Sequence, residues 1–243
     1  SPTAVTMVLS ALMVKMGLFA VVRWLIPLFP AAALQFDNVV IGLSVIGMVY
    51  ASILAMQQDD IKRLVAYSSI AHIGLMNAAL FVNNQSGLEG AIIQFFSHGV
   101  NVLGMWIVVD LIEQQFGTRK MSELGGIAQK APTLTIMLVI VALANVALPL
   151  TNAFVGEFLM FNGLFKFNVW YAAVGGLSII LSAVYTLKMI QKVFYGESNA
   201  TTAGTTDIGW MPKIALSVVV AAIFIMGVFP KPVFALMNDT VTA

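Results

Sequence analysis

The chain has no cysteine. That excludes disulfides, Cys-ligated zinc and Cys-held iron–sulfur clusters within it. Charge is scarce as well: 12 Lys+Arg and 11 Asp+Glu among 243 residues, or 9%, where a soluble domain carries about 25%. A net charge of +1 provides no basic surface for nucleic acid. Two histidines leave no His-rich metal site. Neither GxGxxG nor GxxxxGK[ST] occurs, so no phosphate-cradling loop is expected. The chain opens Ser1-Pro2-Thr3 without an initiator Met or a basic n-region, so no signal peptide is expected.

What remains is apolar. Hydrophobic residues make up 60% of the chain and the mean hydropathy is +0.94. A membrane span needs about 20 such residues. The pattern predicts an all-α polytopic membrane domain with spans at 4–26, 38–57, 62–82, 88–113, 168–194 and 211–229. Between the fourth and fifth of these, residues 131–167 are too long for one span and too short for two. Pro149 sits in their middle, so this segment reads as one broken helix with halves near 132–148 and 152–166. Broken helices at membrane depth are tolerated only inside protein or beside a water-filled cavity, and they recur in transporters. The alternative is a proline kink with no role.

Lys62, Arg63, Arg119, Lys120, Lys130, Lys188, Lys192 and Lys213 fall on one side; Arg23, Lys166 and Lys231 fall on the other. The positive-inside bias then places the N-terminus and the even-numbered loops on the cytoplasmic side and the C-terminus on the opposite side. Gly196–Gly209 is polar and reads as a mobile loop. Trp106, Trp170 and Trp210 lie near predicted span ends, a loose aromatic belt.

Lys15 stands apart from the other basic residues, at the centre of the first span. An ammonium at that depth costs about 2.5–3.5 kcal/mol on insertion scales. Glu157 follows the break among apolar neighbours, and His72 and His98 lie near the midpoints of their spans. In an apolar surrounding the charged form of such groups is disfavoured, and groups poised between two protonation states suit a proton relay. The competing readings are a structural ion pair for Lys15, a helix-capping carboxylate for Glu157, and satisfied core residues for the histidines. Supporting polar residues repeat at helical spacing: Ser68 with His72; Gln94, His98 and Asn101; Ser178, Ser182 and Tyr185. Such stripes also hold helices together without transporting anything.

These residues carry a family resemblance. Asp60–Gly74 (DIKRLVAYSSIAHIG) resembles the DIKRLIAYSSISHMG signature of antiporter-like subunits of respiratory complex I. Leu12–Gly17, GAIIQFFSHG (90–99), Glu123–Ile127 and ALPLTNAFVGEFL (147–159) resemble that family's lysine helix, second His motif, loop and broken helix, in order. Glu rather than Lys at 157 resembles the M-type branch; the L- and N-type and Mrp branches typically carry Lys there. The resemblance implies fourteen helices with two inverted five-helix repeats. Residues 1–26 would be the last helix of the first repeat, 38–194 the second repeat and 211–229 a closing helix, so a fragment or a split gene is expected.

It further implies a proton relay of Lys15, His72, His98 and Glu157, and other membrane subunits of complex I as partners beside the lipid and protons. NADH, FMN, iron–sulfur clusters and quinone would be bound by other subunits, with no cofactor or metal in this chain and no independent catalysis. Alternatives are an Mrp-type cation/proton antiporter, a membrane-bound hydrogenase subunit, and a passive scaffold. A retinal protein is disfavoured because the last span has no central Lys.

Overall fold

The computed structural model describes residues 2–241, and side chains through Leu236. Helix α1 spans Thr3–Leu28. It is followed by α2 (Pro30–Gln35), α3 (Asp37–Met56), α4 (Ile61–Phe81), α5 (Gln85–Phe116), α6 (Pro132–Asn145), α7 (Asn152–Phe167), α8 (Val169–Val193), α9 (Trp210–Val228) and α10 (Lys231–Val241). Six of them, α1, α3, α4, α5, α8 and α9, are long and apolar enough to cross a membrane, and α6 is a shorter apolar helix. No strand occurs among the described residues.

Five of the six expected spans end within two residues of these helices. The exception is α5, which runs three residues further at each end. Asn84 accepts a hydrogen bond from the Gly87 N–H at its start, and Gly117 closes it in the left-handed region at φ 67°. Its last turn, Glu113-Gln114-Gln115, is polar and so escaped a hydropathy reading. Helices α2 and α10 were not anticipated; both are short and begin beside a proline.

Helix α1 carries two π-helical stretches, Leu9–Met13 and Val21–Leu25. Lys15 sits on the α-helical turn between them.

The break follows from backbone chemistry. Helix α6 stops at Asn145, three residues short of the expected end. The Ala147 N–H bonds the Ala144 carbonyl at 3.1 Å and the Leu148 N–H bonds the Leu143 carbonyl at 3.1 Å. With Ala147 left-handed at φ 58°, this is a Schellman turn, and Pro149 follows at the position where a helix cannot continue. A second left-handed residue, Leu150 at φ 75°, turns the chain into α7. Two such residues cost roughly 1–3 kcal/mol each and persist only where the surroundings enforce them.

Buried apolar side chains form two clusters. One joins α4, α5, α6, α8 and α9 around Trp106, Tyr185 and Phe194. The other joins α3, α4, α5 and α7 around Met48, Met76 and Met160. Trp106 is therefore a core residue, 1% exposed, because α5 extends ten residues beyond it. Trp170 and Trp210, at the starts of α8 and α9, are exposed.

The stretch 196–209 is folded against one end of the bundle. Gly125 and Gly126 lie so close to it that a Cβ would stand 2.4 Å from the Glu197 carbonyl oxygen and 2.6 Å from the Ser198 nitrogen. Asp207 supplies the cap that Ala131 cannot, accepting from the Thr133 and Leu134 N–H groups of α6 at 2.9 and 3.1 Å. Partial burial alone would push this carboxyl up, but hydrogen bonds from Thr133, Ile208 and Leu134 outweigh it and hold it below the usual carboxylate range. A carboxylate depressed in the folded state stabilises it above the unfolded pKa, and the contribution is lost as pH falls through the folded value. Asp207→Ala is expected to cost about 1 kcal/mol at neutral pH, read as a lower thermal midpoint in detergent. The gap between wild type and variant should close in strong acid; a gap independent of pH would argue against this cap.

Candidate functional site

Pro149 has no N–H, so the carbonyl of Asn145, four residues earlier, has no helical partner. His72 on α4 fills that vacancy, with Nε2 3.0 Å from the Asn145 oxygen. The same nitrogen lies 3.3 Å from Oε1 of Glu157 on α7, and Nδ1 lies 2.8 Å from the Ser68 carbonyl. All the partners of His72 are acceptors. A neutral imidazole has one N–H and can serve only one side of this arrangement; the imidazolium serves both.

The neighbouring carbonyl, Ala144, takes a hydrogen bond from the Asn101 amide at 3.1 Å. Ser97 and Asn152 bond each other across α5 and α7, each donating to the other's backbone carbonyl. The Asn145 amide donates to Ser68 Oγ, and so does the Tyr185 hydroxyl at 3.0 Å. Thus Ser68, Asn101 and Tyr185 anchor the break to the bundle. Asn145, Asn152 and Ser97 were missed. Their signal was an Asn on either side of the proline, too common a residue at helix ends to stand out.

His98, 1% exposed, lies beside His72 with ring centroids 5.0 Å apart. Neither of its ring nitrogens has a hydrogen-bond partner among the described residues. Gly99, next to His98, marks the contact of α5 with α1, the helix that carries Lys15. There the two backbones touch: a Cβ on Gly99 would stand 3.2 Å from the Ala11 carbonyl oxygen. Lys15 is 7% exposed and donates to the Ser10 carbonyl of its own helix at 2.6 Å, so it has no carboxylate partner within salt-bridge reach among the described residues. The spatial order is Lys15, His98, His72, Glu157. This reverses the two histidines from the order in which the sequence presents them, because it is His72, on α4, that meets Glu157 directly.

Glu157 does not cap α7. It is the sixth residue of that helix, beyond the first turn, and its carboxylate faces His72 and the Gln94 amide, which stands 3.5 Å away. Ser178, Ser182 and Tyr185 on α8 line a cavity of about 20 Å³ together with His72 and Glu157. That is room for about one water. Ser178 also meets Ser52 of α3 at 3.2 Å between hydroxyls. Among the described residues no cluster of three metal-ligating side chains occurs.

Glycine permits this geometry. Where α5 crosses α7, a Cβ on Gly90 would stand 2.6 Å from the Met160 nitrogen, and one on Gly156 would stand 2.4 Å from Gln94 Oε1. Small residues at such crossings let helix backbones approach.

The sequence model of the family described as NADH:quinone oxidoreductase/Mrp antiporter, TM, matches residues 1–182. The chain belongs to this family. It is 36% identical over 242 residues to NADH-quinone oxidoreductase subunit M of Rhodobacter capsulatus, covering 99% of this chain and 47% of that one. It is 32% identical over 239 residues to NADH-ubiquinone oxidoreductase chain 4 of Prototheca wickerhamii, covering 98% and 46%. The chain thus spans about half the length of the curated relatives it matches. Among solved structures, a chain of respiratory complex I from Thermus thermophilus with bound NADH superposes with a TM-score of 0.88 at 30% identity, covering 93% of this chain and 48% of that one. A chain of the Mrp complex from Dietzia superposes with a TM-score of 0.90 at 16% identity, covering 98% and 53%, which is a likeness of fold.

In this member of the family, Gly90→Ala should push α5 from α7 and cost about 1–3 kcal/mol. The check is thermal unfolding of the detergent-solubilised protein; an unchanged midpoint would mean that the crossing tolerates a side chain.

Proposed function

We propose that this chain is part of a proton-translocating membrane subunit of an NADH:quinone oxidoreductase of the subunit M type. Lys15, His98, His72 and Glu157 form its proton relay. The observation that carries this reading is the buried contact of His72 with Glu157, with His98 beside them, at a helix break. Chains of ionisable side chains inside a membrane mark proton pathways, and here each is contributed by a different helix. A charge change arriving near Lys15 would drive its proton onto His98, through His72 to Glu157, and outward by the cavity beneath Tyr185. His72 is suited to the middle of the path because its ring takes up a proton without losing an acceptor on either side.

Redox chemistry, with NADH, FMN, iron–sulfur clusters and quinone, would lie in other subunits, which are its partners in the membrane. The loops at 57–60 and 117–131 meet at one end of the bundle, where Arg119 pairs with Asp60 and Glu113. With most of the Lys and Arg side chains on that end, it would face the cytoplasm of a bacterial inner membrane.

Glu157→Gln and Lys15→Met, each built into the assembled complex, are expected to lower proton translocation in membrane vesicles by about 100-fold or more. Undiminished pumping by the double variant Lys15→Ala/Glu157→Ala would sink the relay and leave the polar residues as helix glue.

A further inference from the structure

Helix α9 buries little of itself: 17% of its apolar window. What it buries is one stripe, with Leu216 and Ile223 fully enclosed and Val219 6% exposed. Gly227 continues this stripe at helical spacing. The stripe is aimed at the broken helix. Val219 enters a notch at Gly104 of α5, where a Cβ would stand 2.9 Å from Val219 and 2.8 Å from Val141 of α6. Gly227 lies directly on the break, where a Cβ would stand 2.3 Å from the Leu150 carbonyl oxygen and 2.6 Å from the Thr151 carbonyl carbon. Both of these are backbone atoms, which cannot swing aside as a side chain can.

Leu150 is one of the two left-handed residues that make the break. Its neighbour Thr151 is the residue on which α7 starts. Asn145 precedes this turn in the chain and Glu157 follows it, and both stand against the same nitrogen of His72, so a shift of the turn alters both contacts.

We propose that α9 is a brace that sets the geometry of the break, and that Gly227 is a positioning residue for His72 and Glu157. No atom of Gly227 touches the relay. It acts through the backbone of Leu150 and Thr151, by allowing α9 to press on the turn and hold two unfavourable dihedrals in place. The tie to proton transfer rests on the relay reading above; the brace itself does not.

The test uses Gly227→Ala in the assembled complex, with two measurements. Hydrogen–deuterium exchange of the peptide covering the break reads the turn directly, since the amides of Ala147, Leu148 and Thr151 are hydrogen-bonded within it. Exchange there should rise about tenfold with the rest of the bundle unchanged. Proton translocation should fall roughly 10- to 100-fold. Its pH profile should change too, because His72, facing Glu157, His98 and Tyr185, loses its fixed partner. Ile223→Ala, one turn away on the same stripe, loosens the brace without adding a side chain. It should raise the same exchange if the Gly227 variant does not assemble.

Unchanged exchange in both variants overturns the brace. Raised exchange with wild-type translocation and pH profile, in a background where Glu157→Gln abolishes pumping, overturns the positioning role. If Glu157→Gln itself pumps normally, the relay reading fails, and exchange alone then decides the brace.

Discussion

The organisation of this protein turns on one missing hydrogen. Pro149 cannot donate to the Asn145 carbonyl, and a bare carbonyl inside a membrane costs several kcal/mol. The chain resolves this with His72, whose ring reaches the orphan oxygen at 3.0 Å. Once His72 is committed there, its position against Glu157 follows, because α7 begins only a few residues beyond the proline. The Ala144 carbonyl, which already accepts from the Ala147 N–H in the turn, takes a second bond from the Asn101 amide. The histidine proposed for the middle of the relay is therefore also one that makes the broken helix tolerable. Structural and chemical explanations of His72 are not rivals here.

The second constraint is distance. Lipid provides no hydrophobic force between helices, so association depends on close packing and on hydrogen bonds. Gly90 and Gly156 let α5 and α7 approach to backbone contact, Gly99 does the same against α1, and Gly227 against the break. The first two contacts carry polar side chains with them, Gln94 and Glu157 at one and His98 at the other; the third sets the backbone of Leu150 and Thr151. A larger residue would move a polar group, not merely a helix.

Much of this was legible in the chain itself. Spans, the broken segment, the depth of Lys15 and Glu157 and the family resemblance follow from apolar run length, one proline, and charges placed where charge is costly. Besides the order of the two histidines, three readings needed correction. Glu157 is not a helix cap, since α7 starts at Asn152, too early for it. Trp106 is core, since α5 outruns its apolar stretch. The Gly196–Gly209 segment is pinned, since Asp207 caps a helix more than seventy residues away in sequence.

Hydropathy and residue type thus determine which segments enter the membrane, because burial in lipid depends on composition averaged over about 20 residues. They also show which charges are out of place. They do not determine which of those charges meet. That Glu157 lies on His72 while His98 stands on the Lys15 side, and that a glycine on α9 touches the turn between them, depends on helix crossings set by contacts far apart in sequence. Such contacts leave no periodic trace in either partner, so only the assembled bundle decides them.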